Sequence, residues 1–186
     1  MKYRILKLFI IVFTIFLNMY ATSYGEEAKK PSVVSKQYRD WVLRCVETQK
    51  KQECEVVQTI QINNSNLNFT FAFTNFINKE NELKEVINII TPLGVNLQKR
   101  VSLNFHKGTK VNLPYIKCEA IGCIIKISNN SKEAAVISLF NQIKKAMETS
   151  IYFEIIVNGF DQKPILIKFS LQGFVDALKE LNNSKN

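Results

Sequence analysis

The stretch "NFTFAFTNF", residues 68–76, restricts this chain more than any other feature. Phe69, Phe71 and Phe73 recur at every second position, with Thr70, Ala72 and Thr74 between them. Side chains of an extended strand alternate between two faces, so this spacing sets three rings on one face and smaller groups on the other. The same period returns along the chain. "VSLNFHKG" opposes Val101, Leu103 and Phe105 to Ser102, Asn104 and His106. "SIYFEIIV" aligns Ile151, Phe153, Ile155 and Val157, and "PILIKFSL" aligns Ile165, Ile167, Phe169 and Leu171. "CEVVQTIQI" sets Val56, Gln58, Ile60 and Ile62 together less cleanly. With "DWVLRC", "LKEVINII" and the runs about Cys118 and Cys123, the count reaches about eight to nine strands. Asn158-Gly159 marks a hairpin between two of them. Strands at this interval with turns between them predict an antiparallel sandwich or barrel.

Two segments keep a helical period instead. "NSKEAAVISLFNQIKKAMET" brings Val136, Phe140, Ile143 and Met147 onto one stripe, with Asn130 and Glu133 spaced as a capping box. The stripe predicts a helix covering part of a sheet; its alternative is a helix lying on a membrane surface. "GFVDALKEL" gathers Phe174, Ala177, Leu178 and Leu181 on one face of a short closing helix.

The front of the chain, "MKYRILKLFIIVFTIFLNMYATSYGEE", has the layout of a secretory signal. Lys2, Arg4 and Lys7 precede an apolar run of about ten residues, short of the roughly 20 that a membrane helix needs. Ser23 and Gly25 suit cleavage before Glu26; the other reading is an uncleaved anchor. Residues 1–25 are thus expected to be a signal peptide, 26–36 a flexible lead-in, 37–181 the β-sandwich domain and 182–186 a disordered tail. Removing the signal leaves 22 of the 25 basic residues against 16 acidic, a net +6. That balance suits acidic surfaces such as phospholipid headgroups or sialylated cell coats. The lysines are scattered and no nucleic-acid motif occurs, so nucleic acid is not expected as a partner.

All four cysteines, Cys45, Cys54, Cys118 and Cys123, follow the signal, and an even number in an oxidising compartment predicts two disulfides. Of the three connectivities, proximity and turn geometry select Cys45–Cys54 with Cys118–Cys123. A zinc site needs a second close pair of ligands, but eight residues lie between Cys45 and Cys54, and His106 is the one histidine. Four residues separate Cys118 from Cys123, which also departs from the redox spacing of two. No metal and no cofactor is expected.

Nor does a catalytic constellation emerge. His106 falls on the polar face of its strand, and Asp40, Asp161 and Asp176 stand far apart in sequence. Neither a phosphate-cradling glycine loop nor a Gly-x-Ser-x-Gly elbow occurs. Trp41 has two readings: a core residue beside the first disulfide, or an exposed binding anchor.

Five features in order carry a resemblance: a signal peptide, "YRDWVLRC" with a second cysteine soon after, "ITPLGV", "LPYIKCEAIGC" and "SLQGFVDALKEL". Together they resemble the invasion-associated locus B family of alphaproteobacteria, whose best-known members belong to Bartonella. The resemblance spans about Tyr38 to Leu181. It implies an immunoglobulin-like β-sandwich, export across the inner membrane, and a part in entry into host cells, erythrocytes above all. With the signal peptide, the expected place is the periplasm or the periphery of the outer membrane and cell surface. It carries over no catalytic residue. The expected partner is a host-cell surface component or an envelope protein, with peripheral membrane association as a further expectation. The alternative is a periplasmic or envelope housekeeping module, or a ligand-binding one, without host contact.

Overall fold

The rings of Phe69, Phe71 and Phe73 are all wholly buried, and they show how the chain closes on itself. A computed structural model describes residues 32–47, 52–62 and 67–184. The phenylalanines lie on β4 (Asn68–Ile77), the middle of a seven-stranded sheet. Its other strands are β1 (Ser32–Tyr38), β2 (Trp41–Glu47) and β3 (Gln52–Gln61) on one side, and β5 (Leu83–Thr91), β9 (Gly122–Ser128) and β8 (Lys117–Glu119) on the other. A second sheet orders β11 (Pro164–Ser170), β10 (Tyr152–Asn158), β6 (Val101–Phe105) and β7 (Lys110–Leu113). Every pairing in both sheets is antiparallel.

The smaller sheet covers only part of the larger one. Phe71 meets Phe153 of β10 at 5.1 Å and Phe169 of β11 at 6.3 Å between ring centres. The rest is covered by α1 (Ala134–Thr149) and α2 (Phe174–Asn183): Phe73 lies 6.2 Å from Phe140 and 6.0 Å from Phe174. The second layer is therefore half sheet and half helix, and one continuous core runs beneath both. Each buried large side chain contributes about 1.5–3 kcal/mol of transfer free energy.

This is the expected all-β antiparallel sandwich with one covering helix and a short C-terminal helix. Helix α2 buries Phe174, Ala177, Leu178 and Leu181, the four positions that its period picks out. In α1, Phe140, Ile143 and Met147 are buried; Ala146 joins them, while Val136 stays at the margin.

Several details differ from the expectations. The strands number eleven among the described residues. The lead-in over 26–36 is not flexible throughout, because Ser32–Lys36 belong to β1 and pair with β2 from Ser32↔Glu47 onward. Burial cannot reveal this strand, since six of its seven residues are exposed. Its backbone pairing alone defines it, returned by a tight turn in which Arg39 has φ 52°. Of the tail, Asn182 and Asn183 still belong to α2, and Asn182 accepts a bond from the Asn75 side-chain amide at 2.9 Å. Asn130 is not the N-cap of α1, because Glu133 holds that place. The Ser131 hydroxyl accepts the Glu133 N–H at 3.1 Å, so a serine turn delays the helix. Ile151, expected inside, is 60 % exposed because β10 begins one residue later. The expected signal peptide lies outside the described residues.

Candidate functional site

The residues singled out from the sequence are structural in their placement. Trp41, the candidate binding anchor, is fully buried, so it has no surface to offer a partner. Its ring lies 4.9 Å from Phe174 and its indole N–H donates to the Ser170 carbonyl at 2.9 Å. The first strand of the large sheet's core is thus tied to the end of the small sheet. Cys45 and Cys54 are opposite one another across β2 and β3 and form a disulfide; Cys118 and Cys123 do the same across β8 and β9. No cysteine is free. His106 is exposed, with its ring 5.0 Å from that of Tyr152. Among the described residues no group of three or more His, Cys, Asp or Glu gathers to hold a metal. No described helix is long and apolar enough to cross a membrane.

What the sequence reading did not single out is one end of the sandwich. The loop after β5, residues 92–100, runs beside the hairpin joining β10 to β11. Val95 bridges Gly159, the Asn96 N–H donates to the Asn158 carbonyl at 2.8 Å, and the Phe160 N–H donates to the Gly94 carbonyl at 3.2 Å. Within the hairpin, the Gly159 N–H donates to the Lys163 carbonyl at 3.0 Å and the Lys163 N–H to the Asp161 carboxylate at 3.1 Å. These bonds use the backbone inside the turn and leave the Phe160 side chain pointing outward, 76 % exposed. Leu93 and Leu97 on the neighbouring loop are exposed as well.

A third loop joins them. Thr91 pairs with Cys123, which sets the β8–β9 hairpin against the point where the 92–100 loop begins. Gly122, with φ 135°, stands so close to this junction that a Cβ there would fall 2.3 Å from the Thr91 carbonyl oxygen. Only glycine permits that approach. Ile116 and Ile121 of this segment are both exposed. The Val101↔Leu113 register keeps Arg100 next to the same segment.

Charge at this end is unevenly compensated. Lys117 pairs with Glu119 at 2.5 Å and Lys163 with Asp161 at 3.6 Å. Lys99 and Arg100 are exposed and have no carboxylate partner among the described residues. Tyr115, half-buried just before β8, has its phenol pushed above the ordinary range, chiefly by burial. The end therefore presents separated apolar side chains over a net positive base. Its sequence signal was an aromatic directly after Asn-Gly, since a turn's tip cannot bury a ring; the other contributors come from distant segments and meet only in the fold.

Two open grooves lie elsewhere. One of about 530 Å³ is lined by Phe76, Ile77, Lys79 and Lys132 among others, and one of about 390 Å³ lies over Tyr152, Lys168 and Gln172. In the second, the Lys168 ammonium sits 3.7 Å above the centre of the Tyr152 ring and so covers the ring's face.

Comparison with known proteins places this architecture. The family described as invasion associated locus B (IalB) protein matches residues 41–182. The crystal structure of invasion associated protein b from Bartonella henselae is similar with a TM-score of 0.60 at 18 % identity, covering 82 % of this chain and 97 % of that one. That likeness shows a shared fold. Among curated proteins none matches the sequence.

Proposed function

The chain belongs to the invasion associated locus B family, and from that premise we propose that it is an exported, non-enzymatic protein that supports entry of a bacterium into host cells, erythrocytes among them. It acts by binding, through the end that carries Phe160, Leu93 and Leu97. The observation behind the binding role is the exposure of these apolar side chains. Apolar side chains exposed together on two loops that are hydrogen-bonded to each other are the kind of surface an interface covers. Export is supported by the two disulfides, which persist in an oxidising compartment, and the mature protein sits in the periplasm or peripherally on the outer membrane.

The test is a deletion strain, complemented with the wild-type gene or with Phe160→Ser/Leu97→Ser. Deletion is expected to lower host-cell entry, wild type to restore it, and the double variant to fall short. Unchanged entry after deletion refutes the invasion role. Full rescue by the double variant refutes the assignment of the end. Protease treatment of intact cells separates the two places: protein cut only after the outer membrane is opened is periplasmic.

A further inference from the structure

We propose that this end docks on an anionic phospholipid surface, with Phe160, Leu97 and Leu93 entering the interface while Lys99 and Arg100 meet the headgroup phosphates; the proposal rests on the reading above that this end is the binding surface. Three observations favour a lipid over a protein pocket.

The apolar side chains stand on separate loop tips. Phe160 is on the β10–β11 hairpin, Leu93 and Leu97 are on the loop after β5, and Ile121 is in the β8–β9 turn. A protein hot spot is a cluster seated in a fitted, desolvated pocket. Separate tips at one end suit a fluid partner that flows around each of them.

The cations follow the tips closely. Lys99 and Arg100 come two and three residues after Leu97, and Lys163 is three residues past Phe160. A side chain entering the acyl boundary with a long cation just behind it matches the polarity gradient of a bilayer interface.

The balance of charge also selects the sign of the surface. Both acids on these tips, Glu119 and Asp161, are paired with the lysines beside them, which leaves Lys99 and Arg100 as a net positive pair. Anionic headgroups attract such residues within about a Debye length, so the attachment weakens with salt.

The experiment uses the oxidised chain from Glu26 onward, which contains all of the described fold, and vesicles of phosphatidylcholine alone or mixed with phosphatidylglycerol. Co-sedimentation with the mixed vesicles is expected, with much weaker binding to phosphatidylcholine alone. Lys99→Ser/Arg100→Ser should lower binding to the mixed vesicles by roughly fivefold per cation removed and flatten its salt dependence. Phe160→Ser/Leu97→Ser should abolish binding while circular dichroism stays unchanged. Because Trp41 is buried, Phe160→Trp adds a reporter at the tip, whose emission should shift to the blue on mixed vesicles. An emission maximum of that variant that neither kind of vesicle moves, or equal binding to both, overturns the lipid proposal. If vesicles fail but Phe160→Ser/Leu97→Ser still impairs host-cell entry, the lipid is wrong and the binding end stands, with a protein or glycan as its partner.

Discussion

Gly173 is the position at which one added methyl group should test the packing most sharply. It precedes α2 with φ 87°, and a Cβ built there would lie 2.0 Å from the Tyr38 carbonyl oxygen and 3.1 Å from the Arg39 Cβ. Gly108, in the β6–β7 turn, has nearly the same φ of 90° but nothing within 4 Å of the corresponding point. The two glycines thus share a backbone conformation and differ in available space. Gly108→Ala should cost about 1 kcal/mol, the usual penalty of a left-handed conformation for alanine. Gly173→Ala adds a collision with backbone, which cannot rotate away. The β1–β2 turn must retreat by more than an ångström, and it carries three contacts, two of them to the end of β11 and the segment between it and α2. These are the Asp40 N–H to the Gln172 carbonyl at 3.3 Å, the Trp41 indole to the Ser170 carbonyl, and the Gln58 amide to the Asp40 carbonyl at 2.9 Å. Losing two of them at about 1 kcal/mol each, with some loosening around Trp41, brings the total to about 3–4 kcal/mol. For a domain of this size each 1 kcal/mol lowers Tm by about 2–4 °C. Paired urea and thermal melts of both variants under non-reducing conditions make the comparison. If Gly173→Ala costs no more than Gly108→Ala, the close approach of α2 to the β1–β2 turn is wrong.

Other perturbations should read separate parts of the structure. Lys144 bonds Glu85 at 2.6 Å, and the Glu85 side chain is only 9 % exposed. Lys144→Ala should therefore cost about 2 kcal/mol, less than a fully buried pair because Lys144 retains some solvent, while Glu85→Leu/Lys144→Met should recover most of it in denaturant melts. Burial raises the Tyr115 phenol, so its share of stability is present below pH about 10 and declines as pH rises through the folded value. Tyr115→Phe should remove part of the alkaline loss of stability, measured by urea midpoints at neutral pH and above pH 10. Peptide maps with and without reductant should show Cys45 joined to Cys54 and Cys118 to Cys123; a peptide joining Cys45 to Cys118 would refute both. Cys118→Ala/Cys123→Ala should leave Tm lowered by only a few degrees yet weaken binding at the loop end.

The parts of the fold that were legible are those where one face is buried and the other is wet. Phe69, Phe71 and Phe73 alternate because β4 has a core side, and α2 shows its stripe because it lies on that core. β1 was illegible for the opposite reason: as an edge strand with both faces exposed, it has no burial pattern to leave in the sequence. β8 is only three residues long and is visible mainly through its cysteine. Burial on the far face also obscured details, as with Ala72 and Val57, which face each other across β3 and β4 away from the phenylalanines. The candidate site was least legible. Phe160, Leu97 and Ile121 are ordinary apolar residues in sequence, and their meaning comes from exposure, which depends on which turn each one occupies.

The two disulfides sit at opposite ends of the larger sheet, and their surroundings differ in kind. Cys45 and Cys54 are both buried beneath the second layer, so that bridge reinforces a region that packing already orders. The other joins buried Cys123 to exposed Cys118 on a three-residue edge strand. Closing so short a loop contributes roughly 2 kcal/mol by chain entropy, and few core contacts hold β8 otherwise. Its consequence is local. It fixes the hairpin that carries Ile121 against Thr91, while Gly122 lets the two backbones come close enough to share the junction. From the same junction the 92–100 loop departs to pair with Asn158 and Gly159. The clip and the glycine therefore place the β8–β9 tip beside the other two, which are joined to each other by the Val95↔Gly159 bridge and anchored by Val95 in the core. Tips held before contact lose less conformational freedom on binding than mobile ones do. A disulfide with little to contribute to the core thus has a physical reason to stand at this end of the sandwich.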